Sequence, residues 1–151
     1  MNQVFKKLQF KNHDRILVLN APAEFKAILN EMAAITSIYD EQITKKKFAF
    51  VLIFVKTCAE IRQYSTLTET HLDEDAILWF AYPKKSSKKY QADISRDEGW
   101  QPLGQLGFEG VRQIAIDEDW SALRFRRPTF IKTMSRDKKR AMGQEGKERI
   151  I

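Results

Sequence analysis

Apolar positions along the chain fall into runs of two kinds. Arg15-Ile16-Leu17-Val18-Leu19-Asn20, Phe48 to Val55 and Ala76 to Tyr82 are almost unbroken apolar stretches of strand length. That is the pattern of strands buried on both faces of a parallel sheet. Between the first two, Phe25, Ile28, Leu29 and Met32 recur at helical spacing, with Pro22 where a helix tolerates its missing N–H. Met1 to Leu8 predicts a short helix with Val4, Phe5 and Leu8 on one side, and Ala34 to Tyr39 a weaker strand. Thr57-Cys58-Ala59-Glu60 is a capping box that opens a helix running to about Leu72, where Asp73-Glu74-Asp75 ends it. Gly99, Pro102, Gly104 and Gly107 permit only a short helix before Val111. Val111 to Ile116 and Ser121 to Arg126 then alternate apolar and polar around Asp117-Glu118-Asp119-Trp120, which predicts a β-hairpin at the sheet edge.

The order is β-α-β twice, a short helix and a hairpin. It predicts an α/β domain with a single Rossmann-like, mostly parallel sheet, helices on both faces and a C-terminal antiparallel β-hairpin. A hairpin finishing such a sheet is the closing pattern of Rossmann-like methyltransferases, so the fold is similar to a truncated one; that analogy concerns fold and not activity.

Length bears this out and charge adds a second feature. With 151 residues, 43% hydrophobic, the chain suits one core. Residues 1–127 are expected to form the compact domain and 128–151 a basic tail, partly helical or mobile. No apolar run reaches the length of a membrane span, the N-terminus has no apolar leader segment, and Cys58 is the single cysteine, so a cytoplasmic protein without membrane contact is expected. Residues 1–125 balance 17 Lys and Arg against 17 Asp and Glu, while 126–151 hold nine against three and so carry the whole net charge of +6. A basic tail on a neutral body suits a polyanion such as nucleic acid, with Arg136, Lys138, Lys139 and Arg140 as the contacting residues; a solvated tail accounts for the charge equally well. Oligomeric state is not legible.

The glycines exclude more than any other residue. All six lie at positions 99, 104, 107, 110, 143 and 146. A dinucleotide or methyl donor is normally cradled by glycines after the first strand, because bare backbone must approach it closely. Here that turn reads Asn20-Ala21-Pro22-Ala23-Glu24, which argues against a conventional NAD-, ATP- or methyl-donor-dependent enzyme. One Cys and two His make a zinc site improbable. Cys58 and His71 sit at opposite ends of one predicted helix, about 20 Å apart along its axis, too far for a nucleophile–base pair. No catalytic residue, cofactor or metal is expected. Asp117-Glu118-Asp119 could bind a hard cation, but a polar hairpin turn with Trp120 packed on the sheet is the simpler reading.

What remains is a loop. Pro83-Lys84-Lys85-Ser86-Ser87-Lys88-Lys89 follows a buried strand, so it should lie at the carboxyl edge of the sheet, where open α/β folds bind ligands. The Asn20-Ala21-Pro22 turn shares that edge. Together Asn20, Ala21, Pro22, Lys84, Lys85, Ser86, Ser87 and Lys88 are the candidate site for an anionic small molecule, with the helix that begins at Pro22 presenting its N-terminus.

These segments also resemble a bacterial domain-of-unknown-function family. The likeness rests on Leu19-Asn20-Ala21-Pro22-x-x-Phe25, on Leu78 to Ser87 with its Pro-Lys-Lys-x-Ser, on Asp93-Ile94, and on Asp117-x-x-Trp120-Ser121-x-Leu123-x-Phe125, in that order over about residues 5–127. The family carries a small residue and a glycine after Pro-Lys-Lys; this chain has Ser86-Ser87-Lys88. The resemblance implies that loop and hairpin are shared features and supplies no activity. The first expectation is therefore a non-enzymatic binding or interaction domain for an anionic ligand or partner. The alternative is a transferase-like enzyme acting on an anionic metabolite at the same edge, with Lys84, Lys85 and Asp93 near the site.

Overall fold

The structure, a computed structural model, describes residues 2–41 and 46–130, apart from the side chains of 68 and 69. Helix α1 (Gln3–Lys7) leads into β1 (Arg15–Leu19), a 3₁₀ turn (Ala23–Phe25) and α2 (Lys26–Met32). Then follow β2 (Ser37–Tyr39), β3 (Phe48–Phe54), α3 (Cys58–Ser65), α4 (Leu67–Thr70) and β4 (Leu72–Pro83). Helix α5 (Gln101–Gln105), β5 (Glu109–Ala115), β6 (Trp120–Arg126) and a 3₁₀ turn (Pro128–Phe130) complete the order.

The strands form one six-stranded sheet in the order β2-β1-β3-β4-β6-β5. β2, β1, β3 and β4 are mutually parallel, β6 runs antiparallel to β4, and β5 antiparallel to β6. The sheet is thus mixed. The predicted hairpin exists, but it is not simply appended at the edge. β6 inserts beside β4, so its Leu123 and Phe125 are core residues, and only β5 is the edge strand. No described helix is long and apolar enough to cross a membrane.

Alternation along the strands divides the core in two. Leu17, Leu19, Val51, Ile53, Leu78, Phe80, Tyr82, Leu123 and Phe125 face one side, where Ile61 of α3, Leu67 of α4 and Leu103 of α5 cover them. Ile16, Val18, Phe50, Leu52, Phe54, Trp79, Ala81 and Ala122 face the other, under Phe5 of α1 and Phe25 and Met32 of the α2 segment. The unbroken apolar runs follow from this, since both faces of each central strand are buried. Each Val, Leu, Ile, Phe or Met side chain among them contributes about 1.5–3 kcal/mol on leaving water. Trp79 also donates its indole N–H to the Leu8 carbonyl at 2.9 Å, which fixes α1 on the sheet.

Two boundaries differ from the sequence reading. The helix after the capping box stops at Ser65, because Ser65 and Thr66 turn their hydroxyls back onto the carbonyls of Arg62 and Gln63 at 2.8 and 2.9 Å, competing with the helical ladder. Asp73-Glu74-Asp75 does not end a helix either. It lies inside β4 as an irregularity between the Phe48–Leu72 and Phe50–Ile77 pairs, with Asp75 at φ 50°. Arg126 holds the Asp75 carboxylate there through two bonds of 2.9 and 2.6 Å.

Candidate functional site at the carboxyl rim

The sheet grows outward from β1 in two directions. β2 is added on one side, and β3 and β4 on the other. The crevice outside the carboxyl ends at such a reversal is where open α/β sheets place their ligands. Three segments meet there: Asn20-Ala21-Pro22 after β1, Lys56-Thr57 after β3, and the loop from Pro83 to Tyr90 after β4. The side-by-side arrangement of β1, β3 and β4 puts the two predicted segments on one rim.

Asn20 takes the left-handed conformation, φ 60°, which lets the chain turn sharply without glycine. Its side chain is engaged across the crevice: Nδ2 donates to the Phe54 carbonyl and Oδ1 accepts from the Tyr64 hydroxyl, both at 3.3 Å. Beyond Pro22, Glu24 ties the turn to the lysine loop. The Tyr90 hydroxyl lies 2.6 and 2.8 Å from its two oxygens, the Trp120 indole N–H donates to Oε2 at 3.2 Å, and Lys89 Nζ is 3.4 Å from Oε1. Led by the Tyr90 hydrogen bond, these donors outweigh partial burial and hold the Glu24 carboxyl down to about 2. The same contact raises Tyr90, and Glu24 raises Lys89.

The lysine loop is built on the hairpin turn. The Lys84 amide donates to the Asp119 carbonyl at 2.8 Å, and the Ser87 hydroxyl donates to Asp119 Oδ1 at 2.8 Å while accepting from the Lys89 and Tyr90 amides at 3.2 and 3.0 Å. Asp117 in turn accepts from the Asp119 and Trp120 amides at 2.8 and 2.9 Å, so the acids of this turn shape backbone. Ser87 is therefore held by the fold, whereas Lys85, Ser86 and Lys88 are exposed and Lys84 half-buried on the rim.

Lys56 was missed by the sequence reading. It is the second residue after β3, the strand between β1 and β4, and its ammonium sits 5.0 Å above the Tyr90 ring. The strand-length run ending at Val55, followed at once by a lysine, was the available signal; only strand order gives it meaning. Tyr90 and Glu24 escaped because their pairing spans 66 residues. Asp93 sits beside Lys56 but serves the backbone, accepting from the Cys58 amide at 2.8 Å and donating its own amide to the Lys56 carbonyl at 3.2 Å. Cys58 Sγ lies 3.5 Å from the Gly99 carbonyl. A separate groove of about 890 Å³ runs under the β5 edge between Trp100, Gln113 and Leu123, away from the rim. Arg136, Lys138, Lys139 and Arg140 lie outside the described residues.

No protein-family model matches the chain, so the family likeness drawn from its motifs gains no support, and no curated protein matches it either. Solved structures do. The N-methyltransferase NodS from Bradyrhizobium japonicum WM9 in complex with S-adenosyl-L-homocysteine aligns at TM-score 0.53 and 13% identity, over 83% of this chain and 84% of that one. A second NodS structure aligns at TM-score 0.51 and 14% identity, over 83% and 93%. The Methanococcus jannaschii fibrillarin pre-rRNA processing protein aligns at TM-score 0.50 and 14% identity, over 78% and 67%. At these identities the likeness is one of fold, a Rossmann-like sheet of the kind methyltransferases use. It speaks against the expectation of a non-enzymatic interaction domain, because NodS, an N-methyltransferase, shares this sheet, and it sides with the transferase alternative.

Proposed function

We propose that the chain is a transferase-like enzyme that acts on an anionic small molecule at the carboxyl rim of its sheet. The observation that carries the reading is the contact of Lys56, which follows β3, with Tyr90 at the end of the lysine loop, beside the point where the sheet reverses its growth. Lys56 stands over Tyr90, whose hydroxyl is fixed by Glu24, so the cation is placed by a rigid support. Lys84 is tied by its amide to the Asp119 carbonyl of the hairpin turn, and Lys85 and Lys88 are exposed on the same loop. Ammonium groups held in this way stabilise charge on a phosphoryl or carboxylate oxygen, and more so as that charge builds during transfer.

NodS was solved in complex with S-adenosyl-L-homocysteine, so the fit of that class of ligand to this rim matters. The residues present do not make a bare cradle. Ala21 and Pro22 carry Cβ atoms where glycines would be, and the Asn20 and Tyr64 side chains are joined across the crevice. No step is routed through a methyl donor on this account.

The test is a thermal-shift panel of phosphorylated and carboxylated metabolites on the full chain, with S-adenosylmethionine as a separate arm. A shift from an anionic metabolite that Lys56→Ala and Lys84→Ala/Lys85→Ala remove supports the reading. A full set of silent metabolites, or shifts indifferent to these lysines, rejects it.

A further inference from the structure

Away from the rim, the antiparallel strands bring like charges together. Arg112 of β5 pairs in register with Arg124 of β6, just beyond the irregularity at Gly110–Arg112. Directly opposed residues on neighbouring strands share a face, with Cβ atoms about 4.5–5.5 Å apart, and like charges there destabilise the pair. The face is that of Ala122 and α1. Arg126, two residues on, is neutralised by Asp75. Arg124 is not neutralised: its Nη1 donates to the neutral Gln9 amide oxygen, and its buried Nε has no hydrogen-bond partner. Among the described residues the Arg112 side chain has neither a hydrogen-bond nor an ion-pair partner. Lys7 adds a further cation on this side, its ammonium 3.3 Å from the Ala115 carbonyl.

We propose that Arg112 and Arg124 form a binding site for a small tetrahedral oxyanion, phosphate or a phosphoryl group, held between the two guanidinium groups on the α1 face. The planar forks of two arginines suit such an anion, since each offers paired N–H donors. Gln9 is positioned to hold one of them: it follows α1 in the left-handed conformation, φ 66°, and its side chain orients Arg124 from above. Burial lowers Arg124 below its ordinary value, and the Coulomb fields of Arg126 and Arg112 lower it further against the opposing effect of Asp75, as expected of a cation with too little counter-charge. The site is distinct from the lysine rim, which lies at the other end of β6 near Trp120.

The test compares thermal unfolding of the full chain in inorganic phosphate and in chloride at equal ionic strength. Saturating phosphate is expected to raise the wild-type Tm by about 5 °C over chloride. Arg112→Gln is expected to melt in chloride at or above the wild-type temperature, because the like-charge pair is relieved, and to lose the phosphate-specific part of the shift. General salt stabilisation is common to both proteins and cancels. Lys84→Ala/Lys85→Ala is expected to keep the part of the shift that Arg112→Gln removes, which separates this site from the rim. A shift equal in Arg112→Gln and wild type, no shift in wild type, or a shift removed only by the rim substitutions overturns the proposal.

Discussion

Tyr90 donates its hydroxyl to Glu24 at 2.6 Å, joining the loop after β4 to the turn after β1 across the carboxyl rim. Glu24 also accepts from the Trp120 indole, so one carboxylate fastens the β1 turn, the lysine loop and the β5–β6 turn. Glu24→Ala strands the indole N–H of a side chain only 1% exposed, and should cost about 1–3 kcal/mol in urea unfolding. Glu24→Gln keeps an acceptor and should cost less. Equal losses for the two would remove Glu24 from this role.

The same carboxylate makes stability depend on acid. Its folded pKa, about 2, lies below the ordinary 4.5. A depressed carboxyl contributes stability that is fully present above its unfolded value and is lost as pH falls toward the folded one. The wild type should therefore lose stability between roughly pH 4.5 and pH 2 more steeply than Glu24→Gln. Parallel curves of unfolding free energy against pH for the two proteins would contradict this.

His13 adds a second window nearer neutrality. It packs against Phe10 and Phe50, and its Nδ1 accepts from the Lys11 amide at 3.2 Å. Burial lowers its pKa from 6.5, so the neutral ring is favoured in the fold. That contribution is present above pH 6.5 and declines as pH falls below it. His13→Gln should flatten the stability profile just below pH 6.5, which calorimetry across that range checks; an unchanged slope argues that the ring protonates freely in place.

Asn20 holds a left-handed turn that glycine would adopt without steric cost. Asn20→Ala should destabilise by about 1–2 kcal/mol, because the Cβ penalty stays while the side-chain bonds go. Asn20→Gly should lose less, since it removes that penalty together with the bonds. Denaturant unfolding ranks the two, and glycine falling below alanine would contradict the claim that the left-handed turn carries a Cβ penalty.

Much of the fold was legible. The three apolar runs and the helical stripe at Phe25, Ile28, Leu29 and Met32 located the central strands and α2, because burial on one or both faces writes itself into local sequence. The capping box located the start of α3 for a similar reason: Thr57 accepts from the Glu60 amide within three residues. What failed was non-local. Asp73-Glu74-Asp75 read as a breaker because the stabilising partner, Arg126, lies 51 residues away from Asp75. The rim was legible as two loops that should share an edge. Its organising residues, Lys56, Glu24 and Tyr90, became visible only when strand order and side-chain contacts brought distant segments together. The fold's likeness to methyltransferases was legible as analogy, and the step from charge placement and missing catalytic groups to a non-enzymatic module is the one that the structural neighbours speak against.

The account turns on Lys56 and the lysine loop forming one seat for a negatively charged substrate. Calorimetric titration of the strongest anionic metabolite from the thermal-shift panel into wild type, Lys56→Ala and Lys88→Ala decides it. Lys56, braced over Tyr90, should dominate, with affinity falling at least about tenfold in Lys56→Ala and by only a fewfold in Lys88→Ala, the equivalent of about 1.4 kcal/mol against a fraction of it. Saturable binding with the same affinity in all three proteins would contradict the account.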